Sequence, residues 1–197
     1  MTGGRLVIAV DGLDGSGKSR FAASLAAAIS ANGRPAELLH VDDFRRPSDF
    51  SGLGPEAESA FYYERYFDFV AVGDAVSAWV EDSADHAVII LEGVMLLRIA
   101  LPPGTLLIVL EVSAAEARRR ILARDQAKGR TPEEIAGRID RRYFPAQARY
   151  RTECDPLTVA DVIIDNEDWA HPRVVRRSDL RFPPSIAAAL DRLLGAE

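Results

Sequence analysis

The chain has one cysteine and no long apolar run, which argues against a disulfide within the chain and against a membrane-spanning helix. A single cysteine, Cys154, cannot form a disulfide within the chain, and it has no neighbouring histidine or basic cluster of the kind that activates a thiol. No apolar run approaches the roughly 18 residues of a membrane-spanning helix, and the first residues do not have the pattern of a signal peptide. We therefore expect a cytoplasmic protein with no membrane partner.

Positive charge is also scarce. The chain has 24 basic and 30 acidic residues and a formal net charge of −6, which argues against a general affinity for nucleic acid. Lys18 and Lys128 are the only lysines, so nearly all of the basic residues are arginine. A lysine in such a chain suggests that its position needs the compact ammonium group.

Short apolar runs alternate with helical patterns, which predicts one α/β domain over residues 1–197 with an arginine-rich helical lid at about 118–150. The expected sheet has five strands, is mostly parallel and is covered by helices on both faces. The predicted strands cover residues 5–10, 36–41, 87–91, 105–111 and 161–164. The predicted helices cover residues 17–32, 56–67, 69–81, 114–127, 132–150 and a segment from about 185.

A phosphate-binding motif lies between the first predicted strand and the first predicted helix. Residues 12–19 read Gly-Leu-Asp-Gly-Ser-Gly-Lys-Ser, which fits the pattern G-x-x-x-x-G-K-S. Glycine lets the backbone wrap closely around a polyphosphate, and the helix start supplies free N–H groups. Lys18 is expected at the β- and γ-phosphates, and the Ser19 hydroxyl on Mg²⁺. The predicted nucleotide-binding residues of the loop are Gly12, Asp14, Gly15, Ser16, Gly17, Lys18 and Ser19.

Acidic residues follow two of the predicted strands. Asp42 and Asp43 follow the second strand and Glu92 follows the third, and ligands of open parallel sheets gather at these carboxyl ends. Adjacent carboxylates point in different directions, so one can act as a base or positioning group while the other contacts the Mg²⁺ shell or caps the next segment. Glu92 can hold Mg²⁺ directly or through water. The predicted metal ligands are therefore Ser19, Asp43 and Glu92.

The predicted lid carries the arginines that could reach a phosphate. Arg120 and Arg124 are four residues apart and share a helix face, and Arg130 follows a glycine that can turn the chain back toward the site. Arginines on a moving lid stabilise the charge of a transferring phosphoryl group, and lid closure excludes water. We expect these three arginines to face the phosphates, whereas Arg118 and Arg119 form a solvated helix face.

The order of these motifs resembles the uridine kinase/phosphoribulokinase-like family of P-loop kinases over about residues 5–166. The segments Val41-Asp42-Asp43-Phe44 and Leu91–Leu97 are also similar to nicotinamide riboside kinase. The resemblance implies a P-loop NTPase fold and transfer of the γ-phosphate of ATP, with GTP left open, to a hydroxyl group. The implied acceptor is a nucleoside or a small sugar-like molecule, and the implied cofactor is Mg²⁺.

The resemblance also implies roles for particular residues. Asp42 would be the base that accepts the proton of the acceptor hydroxyl, and Glu92 would lie in the Mg²⁺ shell. Lys18 and Arg124 would complete the catalytic set, with Arg130 touching phosphates or acceptor. Residues 160–165, Ala-Asp-Val-Ile-Ile-Asp, are similar to the final strand of the family, where the first aspartate is structural.

The chain departs from the family pattern next to the acidic pair. Many uridine kinases have a tyrosine after the aromatic residue, whereas Arg45 and Arg46 stand here. Two arginines favour an acceptor that already carries a negative group. Tyr62, Tyr63 and Tyr66 fall in the stretch expected either to line an acceptor pocket or to pack within a helix.

Other nucleotide-binding functions share the phosphate loop. A GTPase switch requires Asn-Lys-x-Asp, and neither lysine lies in such a motif. A different branch of P-loop small-molecule kinases is the nearer alternative, although Asp-Asp-Phe, Glu-Gly and the long lid favour the uridine kinase-like branch. A non-kinase ATPase or regulatory module stays open, as does the choice between a monomer and a homo-oligomer.

Overall fold

The computed structural model describes residues 5–82, 87–178 and 182–195. The strands within these ranges are β1 (Leu6–Gly12), β2 (Ala36–His40), β3 (Val88–Glu92), β4 (Leu106–Glu111), β5 (Val162–Asp165) and β6 (Arg173–Arg177). The α-helices are α1 (Lys18–Ala31), α2 (Pro55–Glu64), α3 (Phe69–Asp82), α4 (Ala114–Gln126), α5 (Pro132–Arg138), α6 (Phe144–Cys154), α7 (Pro156–Val159) and α8 (Pro184–Leu194). Two 3₁₀ turns cover Val41–Phe44 and Leu96–Arg98, and a π-helical turn covers Ile139–Tyr143.

The strands form one sheet in the order β2-β3-β1-β4-β5-β6. The first five strands in this order are parallel, and β6 is antiparallel to β5. β1 lies between β3 and β4, so the chain builds the sheet outward on both sides of β1. The carboxyl ends of β1, β2 and β3 meet at one edge, which is where ligands bind in open parallel sheets.

The five predicted strands are confirmed, but the predicted strand count was wrong because β6 adds a sixth. Its sequence is Arg-Val-Val-Arg-Arg, and Val174 and Val175 are exposed. Sequence patterns reveal a strand through buried alternating or continuous apolar residues, and this edge strand has neither. It forms because the backbone of β5 offers a free edge, and arginine side chains keep that edge from further pairing.

Helices cover both faces of the sheet, as predicted. One face packs against α1 and α8 through residues such as Leu25 and Ile186, and the other packs against α2, α3 and α6 through residues such as Val72 and Tyr150. β3 is buried at every position, which explains its continuous apolar sequence. Asp161 accepts a hydrogen bond from the backbone N–H of Leu107 (2.9 Å), which is the structural role that the resemblance implied.

The lid region is built from α4, α5, the π-helical turn and α6. A single helix was predicted over residues 132–150, and the helical backbone runs without a break from Pro132 to Cys154, with a π-helical turn at residues 139–143. Pro145 follows this wider turn and accounts for it, because proline has no N–H and its ring clashes with the carbonyl group four residues earlier in a regular α-helix. Buried Ile121, Ile135 and Ile139 form a small core of their own, so the lid has internal packing apart from the sheet.

The described part of the chain contains no helix that is both long enough and apolar enough to cross a membrane.

Candidate active site

Glycine shapes the loop between β1 and α1 at two points. Gly12 has a φ of +151°, and a Cβ there would lie 2.5 Å from the carbonyl oxygen of Leu110. Gly17 has a φ of +91°, and a Cβ there would lie 2.8 Å from Nδ2 of Asn166. Both positions therefore exclude a side chain, and the backbone turns tightly over the start of α1.

Lys18 is the buried cation of this loop. Its side chain donates to the carbonyl oxygens of Gly12 (3.1 Å) and Leu13 (2.7 Å), and it forms no salt bridge with a carboxylate of the described residues. No side chain of residues 5–82, 87–178 or 182–195 caps the start of α1, so its first N–H groups are available to an anion. A buried ammonium with neutral partners fits a phosphate, since burying a charge is costly unless it is paired.

Ser19 and Glu92 form the candidate Mg²⁺ site. The Ser19 hydroxyl donates to Oε1 of Glu92 (3.0 Å), and the same oxygen lies 2.6 Å from Nδ1 of His40. Glu92 is buried at the end of β3, so the sheet fixes its carboxylate. A hydroxyl and a carboxylate at hydrogen-bond distance fit Mg²⁺, which takes one or two protein ligands and completes its shell with phosphate oxygens and water. The described residues hold no group of three or more His, Cys, Asp or Glu suited to a metal, and such a shared shell does not need one.

A cavity of about 250 Å³ opens above the loop, and we call it the phosphate cavity. Most of the predicted site residues line it together, although they come from the loop, the ends of β2 and β3, and the lid. The lining residues are Asp14, Gly15, Gly17, Lys18, Ser19, Arg20, Asp42, Glu92, Gly93, Val94, Arg120 and Arg124.

Four predicted site residues do not line the phosphate cavity. Gly12 and Ser16 shape the loop from behind, and the Ser16 hydroxyl is buried without a hydrogen-bond partner among the described residues. Asp43 is exposed and lies outside this cavity. Arg130 lines a neighbouring cavity instead.

The neighbouring cavity has a volume of about 90 Å³ and lies between the 3₁₀ turn after β2, α2 and the lid; we call it the second cavity. Its lining residues are Asp14, Asp42, Arg45, Tyr62, Tyr66, Phe67, Arg124, Asp125, Lys128, Arg130, Arg138 and Tyr143. Asp14, Asp42 and Arg124 line both cavities, so they stand at the junction between them. A group transferred from one cavity to the other would pass these three side chains.

The two junction carboxylates differ in how they are held. Asp14 accepts hydrogen bonds from the Tyr62 hydroxyl (3.1 Å) and from Nε2 of Gln147 (2.6 Å). Burial raises the pKa of Asp14 above its ordinary value, although the positive charge of Lys18 opposes this. Asp42 is more than half exposed and forms an ion pair with Arg45. Asp14 is therefore fixed in place, whereas Asp42 is accessible to a ligand.

Asp125 orients two of the predicted lid arginines. Its carboxylate lies 2.7 Å from Nε of Arg124 and 3.2 Å from Nη1 of Arg130. Burial acts to raise the pKa of Asp125, but the hydrogen bond and charge of Arg124, with the charges of Arg130 and Lys128, bring it below its ordinary value. The ionised carboxylate thus holds one arginine at the junction and the other in the second cavity.

Arg120 clamps the phosphate loop from the lid side. Its guanidinium donates to the carbonyl oxygens of Asn166 (2.8 Å) and Glu167 (2.9 Å), and at longer range to those of Gly15 and Ser16 (3.4 Å each). It therefore joins the loop to the segment after β5 while one edge faces the phosphate cavity.

The residues around the acidic pair separate into site and scaffold. Arg45 lines the second cavity, whereas Arg46 forms a salt bridge with Asp68 (2.9 Å) and lies outside it. Tyr62 and Tyr66 line the second cavity. Tyr63 instead packs in the core, and its hydroxyl donates to Glu153 (2.6 Å).

Sequence reasoning missed three residues that hold the site. Asn166 follows β5, and its side chain donates to the carbonyl oxygen of Ser16 (2.6 Å). Asn166 could have been predicted from its position directly after a strand, because ligand-binding residues gather at the carboxyl ends of parallel strands. Asp125 directly follows Arg124 in the sequence of the lid, and this neighbouring acid could have been predicted as its ion-pair partner. Gln147, which holds Asp14, lies in a helix and has no such signal.

Two solved structures share this architecture. A Bacillus stearothermophilus protein described as a possible uridine kinase is 23% identical, with a TM-score of 0.62 over 83% of this chain and 90% of that one. A Silicibacter sp. TM1040 protein assigned as a fructose transport system kinase is 26% identical, with a TM-score of 0.56 over 75% of this chain and 84% of that one. The chain has the fold of a P-loop kinase.

The likeness confirms the predicted fold and the resemblance to uridine kinase-like P-loop kinases at the level of structure. No protein-family model and no curated protein matches the sequence. Since both similar structures are described as kinases, the comparisons support a kinase-type phosphotransferase that uses a nucleotide, without indicating its acceptor.

Proposed function

We propose that this chain transfers the γ-phosphate of ATP to a hydroxyl group of a nucleoside or small sugar-like acceptor, with Mg²⁺ as cofactor. The observation that supports it best is the junction, where Asp14, Asp42 and Arg124 line both cavities. Two adjoining cavities with a shared wall suit two substrates that exchange a phosphoryl group. A nucleotide switch or a simple ATPase needs only the first cavity.

The phosphate loop binds and orients the donor. The N–H groups at the start of α1 and the ammonium of Lys18 grip the β- and γ-phosphates, because both present positive charge to the phosphate cavity. Ser19 and Glu92 would hold Mg²⁺, which when bound would supply positive charge beside the phosphate oxygens. The rigid attachment of Glu92 to the sheet keeps its carboxylate in place during the reaction.

Asp42 accepts the proton of the acceptor hydroxyl. Its carboxylate is exposed at the junction, so a hydroxyl group in the second cavity can reach it. As the acceptor oxygen bonds to the γ-phosphorus, the bond from that phosphorus to the β–γ bridging oxygen breaks. ADP leaves with the electron pair, and the proton stays on Asp42.

Arg124 stabilises the charge on the transferring phosphoryl group. It lines both cavities and is oriented by Asp125, so its guanidinium is prepared before the substrates arrive. Closure of the lid over the two cavities would exclude water, which otherwise competes with the acceptor for the γ-phosphate.

A screen for acceptor-dependent ADP release tests this function. The purified chain is incubated with Mg²⁺ and either ATP or GTP, and with nucleosides, ribosides, pentoses and their phosphates, each assayed singly. We expect slow nucleotide hydrolysis without an acceptor and strong stimulation by one class of acceptor, because the site is complete only when both substrates are bound. Loss of the ADP release in the Lys18→Ala variant would show that the activity belongs to this protein and not to a contaminant.

Two results would contradict the proposal. Nucleotide hydrolysis at the same rate with and without every acceptor would favour an ATPase. Absence of binding to any Mg–nucleoside triphosphate would exclude both functions.

A further inference from the structure

Positive charge is concentrated around the second cavity, although the chain as a whole has a net charge of −6. Five of the side chains that line the cavity are cationic and three are acidic. The cations are Arg45, Arg124, Lys128, Arg130 and Arg138, and the acids are Asp14, Asp42 and Asp125. This local excess of positive charge is opposite in sign to the charge of the protein.

Two of the three acids that line the cavity form ion pairs with cations of the same cavity. Asp42 pairs with Arg45, and Asp125 pairs with both Arg124 and Arg130. One carboxylate shared by two guanidinium groups leaves part of their charge uncompensated. The ion pairs therefore reduce the positive potential of the cavity without cancelling it.

Lys128 and Arg138 also contribute positive charge, and neither is in direct contact with a carboxylate of the described parts of the chain. The charge of Lys128 acts at longer range on Asp125, and the charge of Arg138 acts on the hydroxyl of Tyr143. Neither side chain lines the phosphate cavity. The donor phosphates have Lys18 and Arg124 close by, so these two cations are placed to meet an anion on the acceptor side.

Arg138 also lines an open groove of about 670 Å³ that adjoins the second cavity. Arg141 and Arg142 line the same groove, and both pair with one buried carboxylate, Glu58 (2.9 and 2.5 Å). The excess of cations thus continues outward from Arg138. The groove gives an anionic group more room than the second cavity alone provides.

Three tyrosine rings that pack against one another line the second cavity beside its charged side chains. The ring of Tyr62 lies 5.0 Å from that of Tyr66 and 5.2 Å from that of Tyr143. Tyrosine offers a ring face for a carbon skeleton and a hydroxyl group for its polar substituents. Asp42 and Arg138 line the same cavity as these three rings.

We propose that the acceptor is a hydroxyl compound that carries an anionic group, and that Lys128 and Arg138 bind this phosphate or carboxylate. This assignment rests on the proposed function and adds its substrate class. The hydroxyl group lies at Asp42 and the carbon skeleton lies along Tyr62 and Tyr66. The anion is thus bound by two lid residues rather than by Arg45 and Arg46, to which the sequence pointed.

Matched probes that differ only in charge test the assignment. D-Ribose 5-phosphate is compared with D-ribose, and D-glycerate with glycerol, by titration calorimetry. A saturating non-hydrolysable ATP analogue with Mg²⁺ keeps the probes out of the phosphate cavity. The variants are Lys128→Gln, Arg138→Gln and the double variant, and Arg119→Gln, an exposed arginine on the outer face of α4, is the matched charge control.

We expect an anionic probe to bind the wild-type protein at least about tenfold more tightly than its neutral partner. The double variant should bind that anion about 10- to 100-fold more weakly with the neutral partner unaffected, and Arg119→Gln should change neither. Binding of only ribose 5-phosphate assigns a phosphate, and binding of only glycerate assigns a carboxylate. The assignment is overturned if no anionic probe binds, if charged and neutral partners bind alike, or if the double variant retains full affinity.

The same proteins assayed for ADP release separate this assignment from the proposed function. Loss of anion binding in the double variant, together with no acceptor-dependent ADP release, would support the anion site and contradict the kinase. Turnover of neutral acceptors as efficient as that of charged ones would support the kinase and overturn the anion site.

Discussion

The phosphate cavity is formed mainly by one continuous loop and the ends of neighbouring strands, whereas the second cavity is formed by side chains from the 3₁₀ turn, α2 and the lid. In the first, backbone geometry and burial place the groups, with Lys18 and Glu92 both buried. In the second, exposed ion pairs such as Asp42 with Arg45 place them. Changes in the first cavity should therefore affect every acceptor, and changes in the second should depend on the acceptor.

The Lys18→Ala variant should have the largest effect. The buried ammonium faces the donor phosphates whatever the acceptor is, so we expect turnover to fall by about 10³-fold with all active acceptors. Steady-state kinetics with two acceptors measures this, and thermal unfolding checks that the fold is retained. An effect that differed strongly between acceptors would contradict the claim that the phosphate cavity acts only on the donor.

The Asp42→Asn variant tests the junction. Loss of the base should lower turnover by about 10²-fold or more with little effect on folding. Asp43→Asn removes the same charge one residue later, where the side chain is exposed and lines neither cavity. It should therefore affect turnover far less. The reverse result would move the base from Asp42 to Asp43.

The difference between the cavities also explains how much can be predicted from the sequence. The phosphate loop is a contiguous pattern with a fixed geometry, so the pattern alone is enough to place Lys18 and Ser19. Glu92 follows from the rule that ligands lie at strand carboxyl ends. The central strands β1, β3 and β4 are predictable because continuous apolar runs mark buried strands.

The second cavity depends on contacts between residues far apart in the chain, and no local pattern reports them. Gln147 holds Asp14 across more than a hundred residues of sequence, and its helix gives no sign of that contact. Arg130 was expected to touch the phosphates or the acceptor, and its place in the second cavity, where it pairs with Asp125, could not be chosen from the sequence. The exposed strand β6 was missed because it forms by pairing with β5, and its own sequence has no buried apolar pattern that would predict a strand.

The Asp11→Ala variant should show that the frame of the phosphate cavity depends on burial. The Asp11 carboxylate is buried at the end of β1 and accepts hydrogen bonds from the Tyr150 hydroxyl and from the N–H groups of Met95 (3.1 Å) and Leu96 (3.2 Å). Its loss leaves these donors without a partner, so we expect the free energy of unfolding to fall by about 3 kcal/mol. Urea unfolding measures this. Asp168→Ala, at an exposed carboxylate, should cost far less stability, and equal losses in both variants would contradict the argument.

The Asp125→Asn variant should have a smaller effect on stability than Asp11→Ala and a specific effect on pH dependence. Because the pKa of Asp125 is lower in the folded protein than its ordinary value of 3.8, its ion pairs stabilise the fold above that pH. This contribution is lost as the pH falls through the folded pKa. At neutral pH we expect a loss of about 1 kcal/mol in the free energy of unfolding, since both arginine partners are partly exposed.

Urea unfolding of both proteins at neutral pH and below pH 3.8 measures this difference. The wild type should lose more stability than Asp125→Asn as the pH falls, so the gap between the two should narrow. In the variant, Arg124 and Arg130 lose the carboxylate that orients them, and the KM for the acceptor should rise more than the KM for ATP. If both KM values rose equally, Asp125 would orient groups of both cavities to the same extent. The distinction between a donor cavity and an acceptor cavity would then not hold for this residue.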